Sequence, residues 1–232
     1  MMERQKLLSG NDLLKLKVCG LTQLEQIEEL TAMKTNFLGF IFYEKSSRYI
    51  LNHLNLKQIG EIKHRGKVGV FVNESLERIA ETAEKTKLNF IQLHGDESKD
   101  FTIELRKKIH PETGIIKVIR MGNQISDELQ QIINANFSTV DYFLFDTDSR
   151  TFGGTGKTFD WNLLNSIEIS LPYFLSGGIS SENIEKIKLL KQKPFAIDIN
   201  SRFEIKPGVK DLEKIRKLNK YIHKTESRRD EL

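Results

Sequence analysis

Eight times along the chain, a short apolar run gives way to a segment whose apolar residues recur at helical spacing, and this alternation restricts the fold more than any other feature. The strands read as Leu16–Cys19, Phe37–Phe42, Lys67–Phe71, Phe90–Leu93, Ile115–Ile119, Tyr142–Phe145, Tyr173–Leu175 and Phe195–Ile199. Thr22 followed by Glu25 reads as a capping box that opens the first helix, and Leu24, Ile27 and Leu30 continue it. Further helices are expected over His53–Lys63, Ser75–Thr86, Ser98–His110 and Asp127–Ala135, then a short one from Trp161, then Ser181–Leu190 and Lys210–His223. Eight units of roughly 25 residues, joined by right-handed crossovers, predict a single-domain α/β fold, the (β/α)8 TIM barrel, over residues 15–223. A polar leader, 1–14, and a polar tail, 224–232, flank it. The rival is a doubly wound open sheet, which places its glycine-rich phosphate loop after the first strand; Cys19-Gly20-Leu21-Thr22 holds one glycine there.

Composition removes several function classes. Among 232 residues, no apolar run approaches the roughly 20 that span a membrane, and the N-terminus lacks the apolar stretch of a signal peptide, so a cytoplasmic protein is expected. The C-terminal Arg229-Asp230-Glu231-Leu232 looks like a retrieval signal, but such a signal is read only on a protein that has already entered that compartment. One cysteine excludes an internal disulfide, and no cluster of Cys and His offers a metal site. A net charge of +4 is too small and too scattered to point to nucleic acid, yet would not repel an anionic metabolite.

Strand alternation decides which side chains reach the barrel's interior. Lys17 and Cys19 point inward if Leu16 and Val18 face the helices; the same count turns Leu144, Asp146, Ala196 and Asp198 inward. Strands one and eight are neighbours in a closed barrel, so Lys17 and Asp198 should pair and spare each other a solitary burial. A lone cysteine usually reads as a small buried hydrophobe. Cys19, however, ends a strand before a helix start, with a cation two residues back, and these features favour the thiolate. Asp146 has a plain reading as a loop cap, but it faces Cys19 across the mouth, a geometry for moving protons at two places on one molecule. Ser176-Gly177-Gly178 and Asn200-Ser201 follow strands seven and eight, where this fold commonly holds a phosphate, so a phosphorylated small molecule is the expected ligand.

Three other features are weighed. Gly153-Gly154-Thr155-Gly156-Lys157-Thr158 imitates a nucleotide-binding loop, but Thr151 stands where that pattern requires glycine. His94 reads as a hydrogen-bonded structural group at a strand end. Arg48 closes a basic loop after strand two and can fork onto a substrate carboxylate.

Taken together, Lys17-Val-Cys-Gly-Leu-Thr22, Ser46-Ser-Arg-Tyr49, Gln92-Leu-His-Gly-Asp-Glu97, Gly153-Gly-Thr-Gly-Lys-Thr-Phe-Asp-Trp161, Leu175-Ser-Gly-Gly178 and Pro207-Gly-Val-Lys-Asp211 resemble the phosphoribosylanthranilate isomerases of tryptophan synthesis. The resemblance implies an Amadori rearrangement without metal or cofactor. Cys19 would be the general base and Asp146 the general acid, and Arg48 would hold the anthranilate carboxylate. Gly177, Gly178, Asp198, Asn200, Ser201 and Arg202 complete the substrate-binding set. It leaves a monomer or a homodimer open. Where such enzymes commonly have Ser-Gly, this chain has Ser201-Arg202, so either the local backbone differs or Arg202 adds a contact to the phosphate. Two other readings are a metal-dependent sugar-phosphate epimerase, which would need more inward histidines, and a non-catalytic phosphate-binding or thiol-sensing protein, which would not need Asp146.

Overall fold

The computed structural model describes residues 14–122, 126–147 and 159–227, with side chains as far as 223. The leader up to residue 13, the glycine-rich loop around Gly153 and the last residues from Arg228 lie outside the described residues.

All eight strands are present and all are parallel: β1 (Lys15–Val18), β2 (Phe37–Ile41), β3 (Lys67–Phe71), β4 (Phe90–Leu93), β5 (Gly114–Met121), β6 (Tyr142–Thr147), β7 (Tyr173–Leu175) and β8 (Ala196–Ile199). They follow one another in chain order and β8 returns to pair with β1, which excludes the open sheet. At that seam Leu16 lies opposite Ile197 and Lys17 opposite Asp198. Cys19 extends the ladder one residue, its N–H donating to the Ile199 carbonyl at 2.9 Å.

Period-two alternation separates two apolar layers. Val68, Ile116, Leu144, Phe174 and Ala196 fill the barrel's interior, with Phe37, Phe90 and Tyr142 opening β2, β4 and β6. Their rings meet edge to face, Phe37 against Phe90 at 5.4 Å and against Phe174 at 5.1 Å, and close the N-terminal end. Phe145 instead belongs to the outer layer beneath the helices.

The helices are α1 (Leu24–Ala32), α2 (Leu56–Glu61), α3 (Leu76–Thr86), α4 (Lys99–Lys108), α5 (Ser126–Asn136) and α6 (Leu212–Ser227). Ser75 and Ser98 cap α3 and α4 through their hydroxyls, as their positions predict. Elsewhere long-range partners override local pattern. Thr22 makes no capping box, because its hydroxyl donates to the Gly208 carbonyl at 2.6 Å and Gln23 occupies the cap position. The capping box of the second unit is Asn55 with Gln58, which starts α2 after a separate 3-10 turn at Ile50–Asn52. Residues 184–189 form a 3-10 segment rather than an α-helix: Asn183 ties itself to the Ser180 N–H and the Gly178 carbonyl, and Pro194 follows closely. Lys210 is not helical but ends a two-stranded hairpin, β9 (Glu204–Lys206) and β10 (Val209–Lys210), that turns at Pro207-Gly208 with Gly208 at φ +82°.

Phe37→Ala empties the centre of the aromatic layer. Urea denaturation should show a loss of about 3–5 kcal/mol of stability, as for other large core truncations; an unchanged midpoint would mean that the layer does not hold the barrel together.

Candidate active site

The C-terminal ends of β1, β4, β6 and β8 bring one set of ionisable groups together. Lys17, fully buried, donates from Nζ to Asp198 Oδ2 at 2.9 Å, the pairing that strand alternation predicts. Burial opposes its charge, but the Asp198 carboxylate beside it favours the ammonium, which stays above its usual range. Asp198 Oδ1 is buried with no hydrogen-bond partner among the described residues.

Cys19 is buried, and a Cβ built on Gly39 would stand 2.9 Å from both its Cα and its Sγ. Glycine on β2 therefore makes the room in which the thiol sits. Burial pushes the thiol's pKa up, while Lys17 and Lys210 pull it down. The outcome is a thiol in the resting state, where sequence position alone suggests a thiolate.

Asp146 is pushed up to about 6, by burial first and by the Asp198 carboxylate second, against the Thr147 N–H that donates to its Oδ1 at 2.8 Å. That bond is also the loop-capping contact of the plainer reading, so the same carboxyl both caps and titrates near neutrality. His94 Nε2 lies 3.6 Å from Asp146 Oδ2, and the Gln92 side-chain amide lies 2.9 Å from His94 Nδ1. Burial, then the charges of Lys17, Arg120 and Lys117, push His94 down to about 3, so the ring is neutral. His94 is hydrogen-bonded at its strand end, as its position suggests, and it also stands beside Asp146.

Arg48 is almost wholly buried and already forks onto a carboxylate, that of Glu204, with Nε at 2.9 and 3.0 Å and Nη2 at 2.6 Å. Lys210 Nζ reaches the same carboxylate at 2.6 Å and Asn200 Oδ1 at 2.8 Å. Glu204 and Lys210 are functional candidates that sequence reasoning does not single out, Lys210 standing only within the Pro207–Asp211 motif. Their partners lie up to 156 positions away, out of reach of any local pattern.

Gly177 and Gly178 both take left-handed backbone, at φ +81° and +70°. A side chain at Gly177 would strike Thr147 Oγ1 at 2.4 Å, so the β7 loop lies directly against the end of β6. Ser201 and Arg202 sit in a 3-10 turn, Ser201–Phe203, and Arg202 is not among the residues of positive φ. The backbone therefore accepts arginine there without strain. Its side chain lines a recess of about 270 Å³ with Ser180, Ser181, Glu182 and Lys214, between the β7 and β8 loops. Among the described residues, no group of three or more His, Cys, Asp or Glu is placed to hold a metal, and no helix is long and apolar enough to cross a membrane.

A buried thiol, a carboxyl titrating near 6 and a forked arginine at one end of a parallel barrel suit proton transfer on a carboxylated ligand. The family model described as N-(5'phosphoribosyl)anthranilate (PRA) isomerase matches residues 16–221. A Parabacteroides distasonis protein named N-(5'-phosphoribosyl)anthranilate isomerase is 39% identical over 204 residues, covering 87% of this chain and 90% of its own. The crystal structure of phosphoribosyl anthranilate isomerase from Thermotoga maritima is 33% identical with a TM-score of 0.71, over 88% of this chain and 96% of that one. Another, a phosphoribosyl anthranilate isomerase in complex with reduced 1-(o-carboxyphenylamino)-1-deoxyribulose 5-phosphate, is 30% identical with a TM-score of 0.69, over 90% and 97% of the two chains. With this coverage in sequence and in structure, the chain belongs to the N-(5'-phosphoribosyl)anthranilate isomerase family.

Proposed function

We propose that this isomerase opens the ribose ring of N-(5-phosphoribosyl)anthranilate and rearranges it to 1-(2-carboxyphenylamino)-1-deoxyribulose 5-phosphate, a step of tryptophan synthesis, with Asp146 as general acid and Cys19 as general base. The observation that carries this reading is the delivery of Cys19 and Asp146, by β1 and β6, to the same end of one closed barrel. Asp146, protonated in part near pH 6, gives its proton to the furanose oxygen, and the ring opens to a Schiff base. Cys19 first loses its thiol proton to solvent, a loss that Lys17 and Lys210 favour, and the thiolate then removes the proton from the sugar's second carbon, leaving an enolamine, which takes a proton at the first carbon and becomes the ketone. The substrate's own nitrogen accepts the electron pair, so the scheme needs no metal or other cofactor.

The binding residues divide by chemistry. Arg48 takes the anthranilate carboxylate, and Asp198 Oδ1, a buried acceptor otherwise unmatched, accepts from a sugar hydroxyl. Gly177, Gly178, Asn200 and Ser201 hold the phosphate, with Arg202 adding charge from the adjoining recess.

Fluorescence of phosphoribosylanthranilate, formed in place from anthranilate and phosphoribosyl pyrophosphate, should fall on adding the protein with chelator present. Cys19→Ala and Asp146→Asn should each lower kcat by about 10²–10⁴-fold, the range for general acid–base groups, with the far-UV circular dichroism unchanged. Retained turnover in either variant would remove that residue from the mechanism.

The protonation states give a second expectation. Thiolate absorbance at 240 nm, taken as wild type minus Cys19→Ser, should titrate above the ordinary thiol range, and Lys210→Met should move the midpoint higher still by removing a cation that favours the thiolate. A midpoint near neutrality would mean that the free protein already holds a thiolate. Arg202→Gly should raise KM severalfold at nearly constant kcat, the pattern of uniform binding; an unchanged KM would exclude the phosphate contact.

A further inference from the structure

Arg48 is not simply waiting for a ligand. Its Nε and Nη2 form the side edge of the guanidinium, and both are spent on Glu204. A planar fork has a second edge, and no hydrogen bond to Nη1 is made by the described residues. Glu204 itself is held on all sides: Lys210 Nζ at 2.6 Å and the Gly208 N–H at 3.1 Å share Oε1 with Arg48, and its side chain is 3% exposed. Against the cost of burial, the bonds from Arg48 and Lys210 keep the carboxyl below its usual range, so one carboxylate faces two cations. The stem of Arg48 passes over the residue after Cys19, since a Cβ on Gly20 would stand 2.6 Å from Arg48 Cδ and 2.8 Å from Asn200 Oδ1.

We propose that Glu204 is a positioning residue that holds Arg48 by its Nε/Nη2 edge, leaving the Nη1/Nη2 edge for the aromatic carboxylate of the ligand. Lys210 completes the device: it fixes the other side of Glu204, ties it to Asn200 of the β8 loop and leaves the cluster with an excess positive charge for that carboxylate. The proposal rests on the isomerase reading and deepens it, by assigning to Glu204 the selection of substrates that carry a carboxylate on the ring. A purely structural ion pair would instead support every ligand of the site alike.

Two stable analogues of the product separate these cases: the reduced 2-carboxyphenylamino pentitol 5-phosphate and its phenylamino counterpart without the carboxylate, titrated calorimetrically into the full-length protein. Glu204→Gln should weaken the carboxylated analogue by about tenfold or more, in the range of a charged hydrogen bond, and the other by less than about twofold. In an Arg48→Ala background the same change should cost little, because Glu204 acts through Arg48. Kinetically, KM should rise far more than kcat falls. If Glu204→Gln does not fold, Glu204→Asp carries the test, since its shorter arm cannot span both Arg48 and Lys210 and should give the same pattern at smaller size. Equal weakening of both analogues, or additive losses in the double variant, would overturn the proposal. Failure of the isomerase reading would look different: the intact protein would neither turn over phosphoribosylanthranilate nor bind either analogue, and both proposals would fall.

Discussion

The buried ion pair between Lys17 and Asp198 joins the first strand to the last, and the remaining geometry of the mouth depends on it. Desolvating two charges is costly, and leaving either one alone in such a place destabilises by about 3–5 kcal/mol. Closure of the barrel supplies the partner each requires. The same ammonium that satisfies Asp198 also acts on Cys19, two residues along β1, where it opposes the effect of burial on the thiol. Structural and chemical roles are therefore carried by one contact.

Surroundings then divide the acids. Asp146 and Asp198 both face the interior, but Asp198 has an ammonium in hydrogen-bond contact, whereas Asp146 has a backbone N–H and a neutral imidazole beside it. Burial lifts both carboxyls above their usual range, Asp146 to about 6, and at Asp198 the Lys17 ammonium opposes the lift through its hydrogen bond. Cys19 is displaced upward by the same burial, in a pocket that Gly39 keeps open. Asp146 and Cys19 thus rest as a partly protonated carboxyl and a thiol, with cations from β1 and β10 favouring release of the thiol's proton.

Much of this was legible in the chain because a strand has a period of two. Counting from Leu16 turns Lys17 and Cys19 inward; counting along β6 and β8 does the same for Asp146 and Asp198, and the one long-range pair that follows from closure alone is present. Legibility ended where side chains choose distant partners over local ones. Thr22 has the spacing of a capping box but bonds Gly208 across 186 positions. Glu204 meets both Arg48 and Lys210 through a hairpin that has no strong alternation to announce it. Asn183 bonds the loop before it where a helix over Ser181–Leu190 is expected, and a 3-10 segment, Ile184–Leu189, forms instead, a competition that composition does not reveal.

That Thr22 bond, from the first βα loop to the last hairpin, bears on how the chain reaches its native state. Together with the Lys17–Asp198 bond, which spans 181 positions, it joins parts of the chain that are made at opposite ends of synthesis. Contacts of such separation are slow to form, because the entropy of closing the loop is lost before the contact repays it. Local βα units can collapse early, but Cys19, the Lys17–Asp198 pair and the arginine fork come into register only when β8 and its hairpin dock on β1. Catalytic competence should therefore be among the last properties acquired during folding, after the bulk of the helical signal has appeared.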